Sequence, residues 1–213
     1  MRMRRKPWAK EFLEGFSQVS FSGEKNKGQW LKGSSYQQLI VEIDCGKGDY
    51  LFNMSQLESS ALWVGIEKDE NVSAIALKKV KDQIPSNTHW IVGDAENLEN
   101  WFDTKEVNRV HLNFSDPWPK KRNTKRRLTS DKFVERLLNI LSDDGEIRFK
   151  TDNVALFEYT VLLWENYPLE MVEFSVDYRR NEHPEDVITE YEKRFMDLGQ
   201  PIFRSVWRKK NVK

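Results

Sequence analysis

The 213 residues carry 34 basic and 34 acidic side chains, with 38% hydrophobic residues, one cysteine and three histidines. That length suits one domain with a core of its own, and no apolar run reaches the about 18 residues that would cross a bilayer. A lone Cys45 excludes an internal disulfide framework and a cysteine-rich zinc site, the histidines never stand at metal-binding spacing, and no secretory leader pattern opens the chain. A reduced, cytoplasmic protein without metal or membrane partner is expected.

The neutral total hides a pattern. Residues 1–10 hold five basic and no acidic residues, and residues 120–127 (KKRNTKRR) hold six basic residues in eight. Such concentrated positive charge suits phosphate binding, although a charge run also serves as a solvated loop. Residues 1–35 are polar and carry Gly15, Gly23, Gly28 and Gly33, and read as a basic, flexible arm before a domain over 36–213. The domain alternates. Strands are expected at Leu39–Ile43, Leu62–Ile66, His89–Val92, Val110–Phe114 and Ile147–Lys150. Helices are expected at Asn71–Asp82, Asp131–Leu141 and Asn153–Asn166, where apolar residues recur at helical spacing. Met171–Val176 and Ile202–Trp207 flank the segment Ile188–Leu198 and can pair as an antiparallel edge. The pattern predicts an α/β fold, a doubly wound and mostly parallel sheet.

Ligands of such sheets bind beyond the carboxyl ends of the strands. The first strand runs into Val41–Tyr50, where Gly46 and Gly48 allow a tight turn and close backbone approach. Glu67 follows Gly46 by 21 residues, the spacing of an acid that grips ribose hydroxyls. Asp94 and Asp116 close the third and fourth strands. Each acid could equally cap a helix. There is no phosphate-binding GxxxxGK[ST] loop, and the third glycine of a nicotinamide fingerprint is absent.

At Asn113–Thr129, NFSDPWPKKRNTKRRLT, the chain resembles the bacterial tRNA (guanine-N7)-methyltransferases, the TrmB family. The likeness also takes in the opening MRMRRKPWA, the loop from Glu42 to Gly48, GIE at Gly65–Glu67, FKTDN at Phe149–Asn153 and ITEYEKRF at Ile188–Phe195. It implies a Rossmann-like class I methyltransferase that moves a methyl group from S-adenosyl-L-methionine to guanine N7 of tRNA, in the variable loop, acting as monomer or homodimer. It implies that Glu42, Gly46, Gly48, Glu67, Asp94 and Asp116 bind the cofactor, with Asp116 also catalytic. Lys120, Asp152, Thr189, Glu190, Tyr191 and Glu192 look like substrate-binding positions. Arg122, Asn123, Thr124, Lys125, Arg126 and Arg127 resemble the RNA-contacting segment.

One position departs from the family's E-x-G-x-G-x-G loop: Asp44 stands at the first glycine. Aspartate tolerates left-handed backbone better than most residues, but its charge is expected to weaken cofactor binding. Guanine N7 carries a free lone pair and loses no proton on methylation, so the chemistry asks for alignment and needs no histidine base. Trp118 could stack on a base, and Pro117 and Pro119 stiffen its loop. Three rivals remain. An exocyclic-amine methyltransferase would want a second proline where Trp118 stands. A tRNA-binding protein without activity, or a nicotinamide-binding fold, would need the acids for something else.

Overall fold

The computed structural model describes residues 6–81 and 83–210. Arg2, Arg4 and Arg5, the core of the expected basic arm, lie outside the described residues.

The domain is built on eight strands: β1 (Val19–Ser20), β2 (Gln38–Ile43), β3 (Ala61–Glu67), β4 (Thr88–Val92), β5 (Val107–Asn113), β6 (Leu141–Thr151), β7 (Leu169–Ser175) and β8 (Phe203–Lys209). Their spatial order is β1-β4-β3-β2-β5-β6-β8-β7. All neighbours from β1 to β6 run parallel, whereas β8 is antiparallel to both β6 and β7. The expected antiparallel edge therefore forms, and its last-in-sequence strand is inserted between two earlier ones.

Alternation along β2 explains why both faces are covered. Leu39, Val41 and Ile43 join one core cluster, and Ile40 joins the other. On the first face lie α4 (Leu98–Trp101), α5 (Asp131–Ile140) and α6 (Val154–Trp164); on the second lie α1 (Ala9–Glu14), α2 (Asp49–Leu57) and α3 (Glu70–Val80). Helix starts are marked as the side chains require. Asp69 accepts from the Asn71 and Val72 N–H groups at the head of α3, and Asn153 accepts from Leu156 N–H at the head of α6. A last helix, α7 (Glu190–Asp197), opens with a capping box in which Thr189 and Glu192 serve each other's backbone.

Three features differ from the sequence reading. The helix α2 starts straight from the glycine loop, and its buried residues Tyr50, Leu51, Phe52 and Met54 crowd together, so helical spacing was not visible. The strand β6 begins at Leu141, six residues before the expected Ile147, and takes in the last residue of the expected helix. Residues 6–35 lie against the domain: Leu13 and Ala9 are buried on the α3 side, β1 pairs with β4, and the Trp30 indole N–H donates to Trp101 O at 2.9 Å.

Candidate functional site

Glu42, Asp44, Glu67, Asp94, Asp116 and Asp152 all lie at or just beyond the carboxyl end of a parallel strand. After β2 the chain turns sharply, with Asp44, Gly46 and Gly48 all left-handed (φ 62°, 55° and 75°). A Cβ on Gly48 would strike Phe52 and Trp90 at 2.6 and 2.9 Å, so glycine is required there by packing as well as by φ. A Cβ on Gly46 would meet nothing within 4 Å, so this backbone faces open space, as a close-approaching ligand needs. Glu67 holds the loop from the neighbouring strand: its carboxylate accepts from Gly46 N–H at 3.2 Å and from Asp69 N–H at 2.8 Å. Burial pushes Glu67 up to about 7 against those two donors.

Beneath the loop, Glu42 is buried and accepts from the Asn113 side-chain amide at 3.0 Å. Burial pushes it up to about 8. Its second carboxyl oxygen and the Asn113 carbonyl oxygen are buried without a partner, an uncommon pair of orphans directly under the strand ends.

A cavity of about 410 Å³ opens above this floor. Asp44, Asp94, Glu96 and Asp116 line it together with Lys68, Lys125, Arg126, Arg127, Lys132 and Arg136, and with the rings of Trp118 and Phe133. Asp44 titrates above the ordinary aspartate range, first through desolvation and then through the charge of Asp116. Asp94 accepts from Glu96 N–H at 3.0 Å and so caps the turn that follows β4, yet it still faces the cavity. Asp116 caps nothing: the next helical turn, Lys121–Arg126, is preceded by Lys120. Two bulky left-handed residues, Phe114 (φ 55°) and Trp118 (φ 41°), bracket Asp116. Such backbone is strained and persists where the surroundings impose it, typically at functional loops.

The basic run divides. Lys120, Lys121, Arg122, Lys125 and Arg126 are exposed, and Arg126 lies over the Trp118 ring at 4.9 Å. Asn123 and Thr124 are half-buried within the turn, where the Thr124 hydroxyl donates to Lys121 O at 3.0 Å. Arg127 differs from the sequence expectation. It is buried, its Nε donates to Pro117 O at 2.8 Å, and its guanidinium lies over Tyr159 at 4.3 Å. By donating to the Pro117 carbonyl it braces the Asp116 loop, and it is not free to meet RNA.

On the far side of Asp116, Asp152 follows β6 and accepts from the Tyr191 hydroxyl at 3.4 Å. Burial, then Asp152, pushes the Tyr191 phenol up to about 12, so it stays a neutral donor. Glu190 and Tyr191 are exposed, while the Thr189 hydroxyl is engaged in the capping box, accepting from Glu192 N–H at 3.0 Å. Glu192 is the second correction. It is fully buried, with its carboxylate against Arg179 (2.8 Å) and Lys150 (3.4 Å), so it anchors α7 and does not reach a substrate.

That anchor belongs to a buried network the sequence reading missed. Lys150 Nζ donates to Asp186 at 2.7 Å, Arg179 to Asp186 at 2.6 Å, and the Tyr50 hydroxyl to Asp186 at 2.6 Å. It links α2, β6 and α7. The one visible signal was Lys150 itself, which falls between Phe149 and Thr151 in the buried end of a central strand and must find a partner there. Among the described residues no cluster of metal-binding side chains exists and no helix is long and apolar enough to cross a membrane.

Comparison with known proteins gives a consistent result. A family described as "Putative methyltransferase" matches residues 36–205. The tRNA (guanine-N(7)-)-methyltransferase of Bacillus velezensis is 40% identical over 99% of this chain and 99% of its own length. The proteins of that name from Exiguobacterium sp. and Bacillus subtilis are 40% and 39% identical over 99% and 98% of this chain, and over 100% of their own lengths. Among solved structures, an antibiotic-related methyltransferase superposes with a TM-score of 0.58 at 12% identity, covering 84% of this chain and 89% of its own. The 30S ribosomal A1408 methyltransferase from an uncultured bacterium gives 0.55 at 16% identity, over 82% of this chain and 89% of its own. At that identity the likeness is one of fold.

Proposed function

This chain belongs to the family of tRNA (guanine-N(7)-)-methyltransferases, and we propose that the cavity over β2–β5 is where it holds S-adenosylmethionine and presents guanine N7 of a tRNA to it. The observation that carries the reading is the placement of Asp116: exposed in the cavity with three other acids, bracketed by strained backbone and braced by Arg127.

The residues fit the cofactor. A nucleoside bearing a sulfonium and an ammonium group is cationic, and the cavity presents the carboxylates of Asp94 and Asp116 to it. The Gly46 backbone faces open space where such a ligand would lie. When bound, the cofactor supplies an electrophilic methyl group, and N7 displaces it from sulfur. No proton leaves N7, so the chain provides no base. Asp116 accepts from guanine N1–H and the exocyclic amine, which turns N7 inward, and its charge opposes the positive charge growing on the purine. Holding two reactants in line can supply about 7–11 kcal/mol of barrier lowering.

The exposed Lys120, Arg122, Lys125 and Arg126 flank this loop and suit tRNA phosphates. Asp152 and Tyr191 close the target side. The enzyme works in the cytoplasm, where tRNA is matured. Incubation of the full chain with labelled S-adenosylmethionine and an unmodified tRNA transcript tests the reading. The expected product is N7-methylguanine in the variable loop; label on an exocyclic amine, or none, would overturn it.

A further inference from the structure

Phe114 is one of the two bulky residues held in left-handed backbone beside Asp116. Along β5, His111 contacts Tyr50 of α2 and Asn113 contacts Glu42, while Leu112 joins the core under α4–α6. Strand alternation would send Phe114 after Leu112. Its left-handed backbone (φ 55°) breaks the alternation, although its N–H still donates to Lys150 O at 2.9 Å as β6 requires. The ring packs instead on Tyr191 of α7, centroids 4.9 Å apart and planes at 48°. Tyr191 in turn packs on Phe195 at 4.7 Å and donates to Asp152. The result is an aromatic wall beside Asp116, half exposed, and kept at the cost of strain at a residue too bulky to adopt this φ freely.

We propose that Phe114 is a substrate-contacting residue, and that with Tyr191 it forms the face on which the target purine rests during methyl transfer. The inference rests on the reading of the cavity as the N7-methylation site. Its chemistry goes beyond stacking. As the methyl group passes to N7, the carbon–sulfur bond breaks, its electron pair stays on sulfur, and the positive charge passes to the purine. No proton moves. An aromatic face attracts a cation more than a neutral ring. The wall therefore stabilises the transition state beyond the ground state, and its loss lowers the transfer rate more than the affinity for tRNA.

Single-turnover transfer to an unmodified tRNA transcript, with enzyme and cofactor saturating, tests this in the full chain. Phe114→Leu is expected to slow transfer about tenfold, with cofactor affinity and the tRNA Michaelis constant within about twofold of wild type. Phe114→Tyr keeps the rate. Phe114→Gly relieves the backbone, so its thermal midpoint is no lower than that of Phe114→Leu, yet its transfer is as slow. A structural role for the ring would instead couple rate to midpoint across the three variants. The proposal is overturned if Phe114→Leu transfers within twofold of wild type, if Phe114→Tyr is as slow as Phe114→Leu, or if the loss lies only in the Michaelis constant. Should Phe114→Leu not fold, Phe114→Tyr against Phe114→Gly decides by the same criteria. Wild-type enzyme that yields no N7-methylguanine overturns the underlying reading, and this inference with it.

Discussion

At the scale of single residues, Asp116 and Asp44 share one cavity and are expected to respond in opposite ways. Asp116→Ala should reduce turnover below about a tenth of wild type, at least ~1.4 kcal/mol of barrier, while calorimetry finds cofactor affinity mostly retained. A variant that keeps more activity than this would reduce Asp116 to a loop residue. Asp44 sits in left-handed backbone that glycine adopts without strain, and it already feels the charge of Asp116. Asp44→Gly should tighten cofactor binding about fivefold, or about 1 kcal/mol, by removing a charge near the cofactor's carboxylate. Weaker binding at two salt concentrations would show that Asp44 instead grips the ammonium group. The sequence exposed these acids because each follows an apolar strand, and that position alone sets them on the ligand side of a parallel sheet. It could not show that Arg127 and Glu192 are spent inside the protein. Both are charged residues in charged stretches, and only the packing distinguishes a buried bracing cation from an exposed one.

At the scale of elements, the Lys121–Arg126 turn and α7 make separable contributions. Neutralising Arg122, Lys125 and Arg126 together should raise the Michaelis constant for tRNA and flatten its salt dependence. The log–log slope should shrink by roughly 0.7–0.9 per lost phosphate contact. An unchanged slope would mean that the turn is only a solvated surface. Glu192→Ala, by contrast, strips one carboxylate from the buried cluster of Lys150, Arg179 and Asp186. It should cost about 3–5 kcal/mol in urea unfolding, since it leaves buried cations short of an anion. Long periodic elements such as α5 and β3 were legible because each buries one continuous apolar face or run. The helix α2 was not, since its buried positions are set by contact with both the sheet and the Asp186 network. The short α1, α4 and β1 gave too few residues for any period to register.

At the scale of the molecule, two carboxyls beneath the strand ends tie fold stability to pH. Glu42 sits at about 8 and Glu67 at about 7, both from an ordinary 4.5. A carboxyl with a raised folded pKa prefers its proton in the native state. Its stabilising contribution is therefore complete below about 4.5 and fades as pH rises toward about 8, because the unfolded chain ionises first. Glu42→Gln, which cannot ionise, should flatten the fall in thermal midpoint between those values; an equal fall in wild type and variant would discount Glu42 as its source. The order of the strands has a different consequence, in time. Because β8 lies between β6 and β7, residues 141–175 leave the ribosome with a strand-wide gap that only residues 203–209 can fill. Until then β6 presents an open edge, the kind of surface that recruits stray strands from other chains. The parallel half of the sheet can assemble during synthesis, whereas the antiparallel half must wait for translation to reach Lys209.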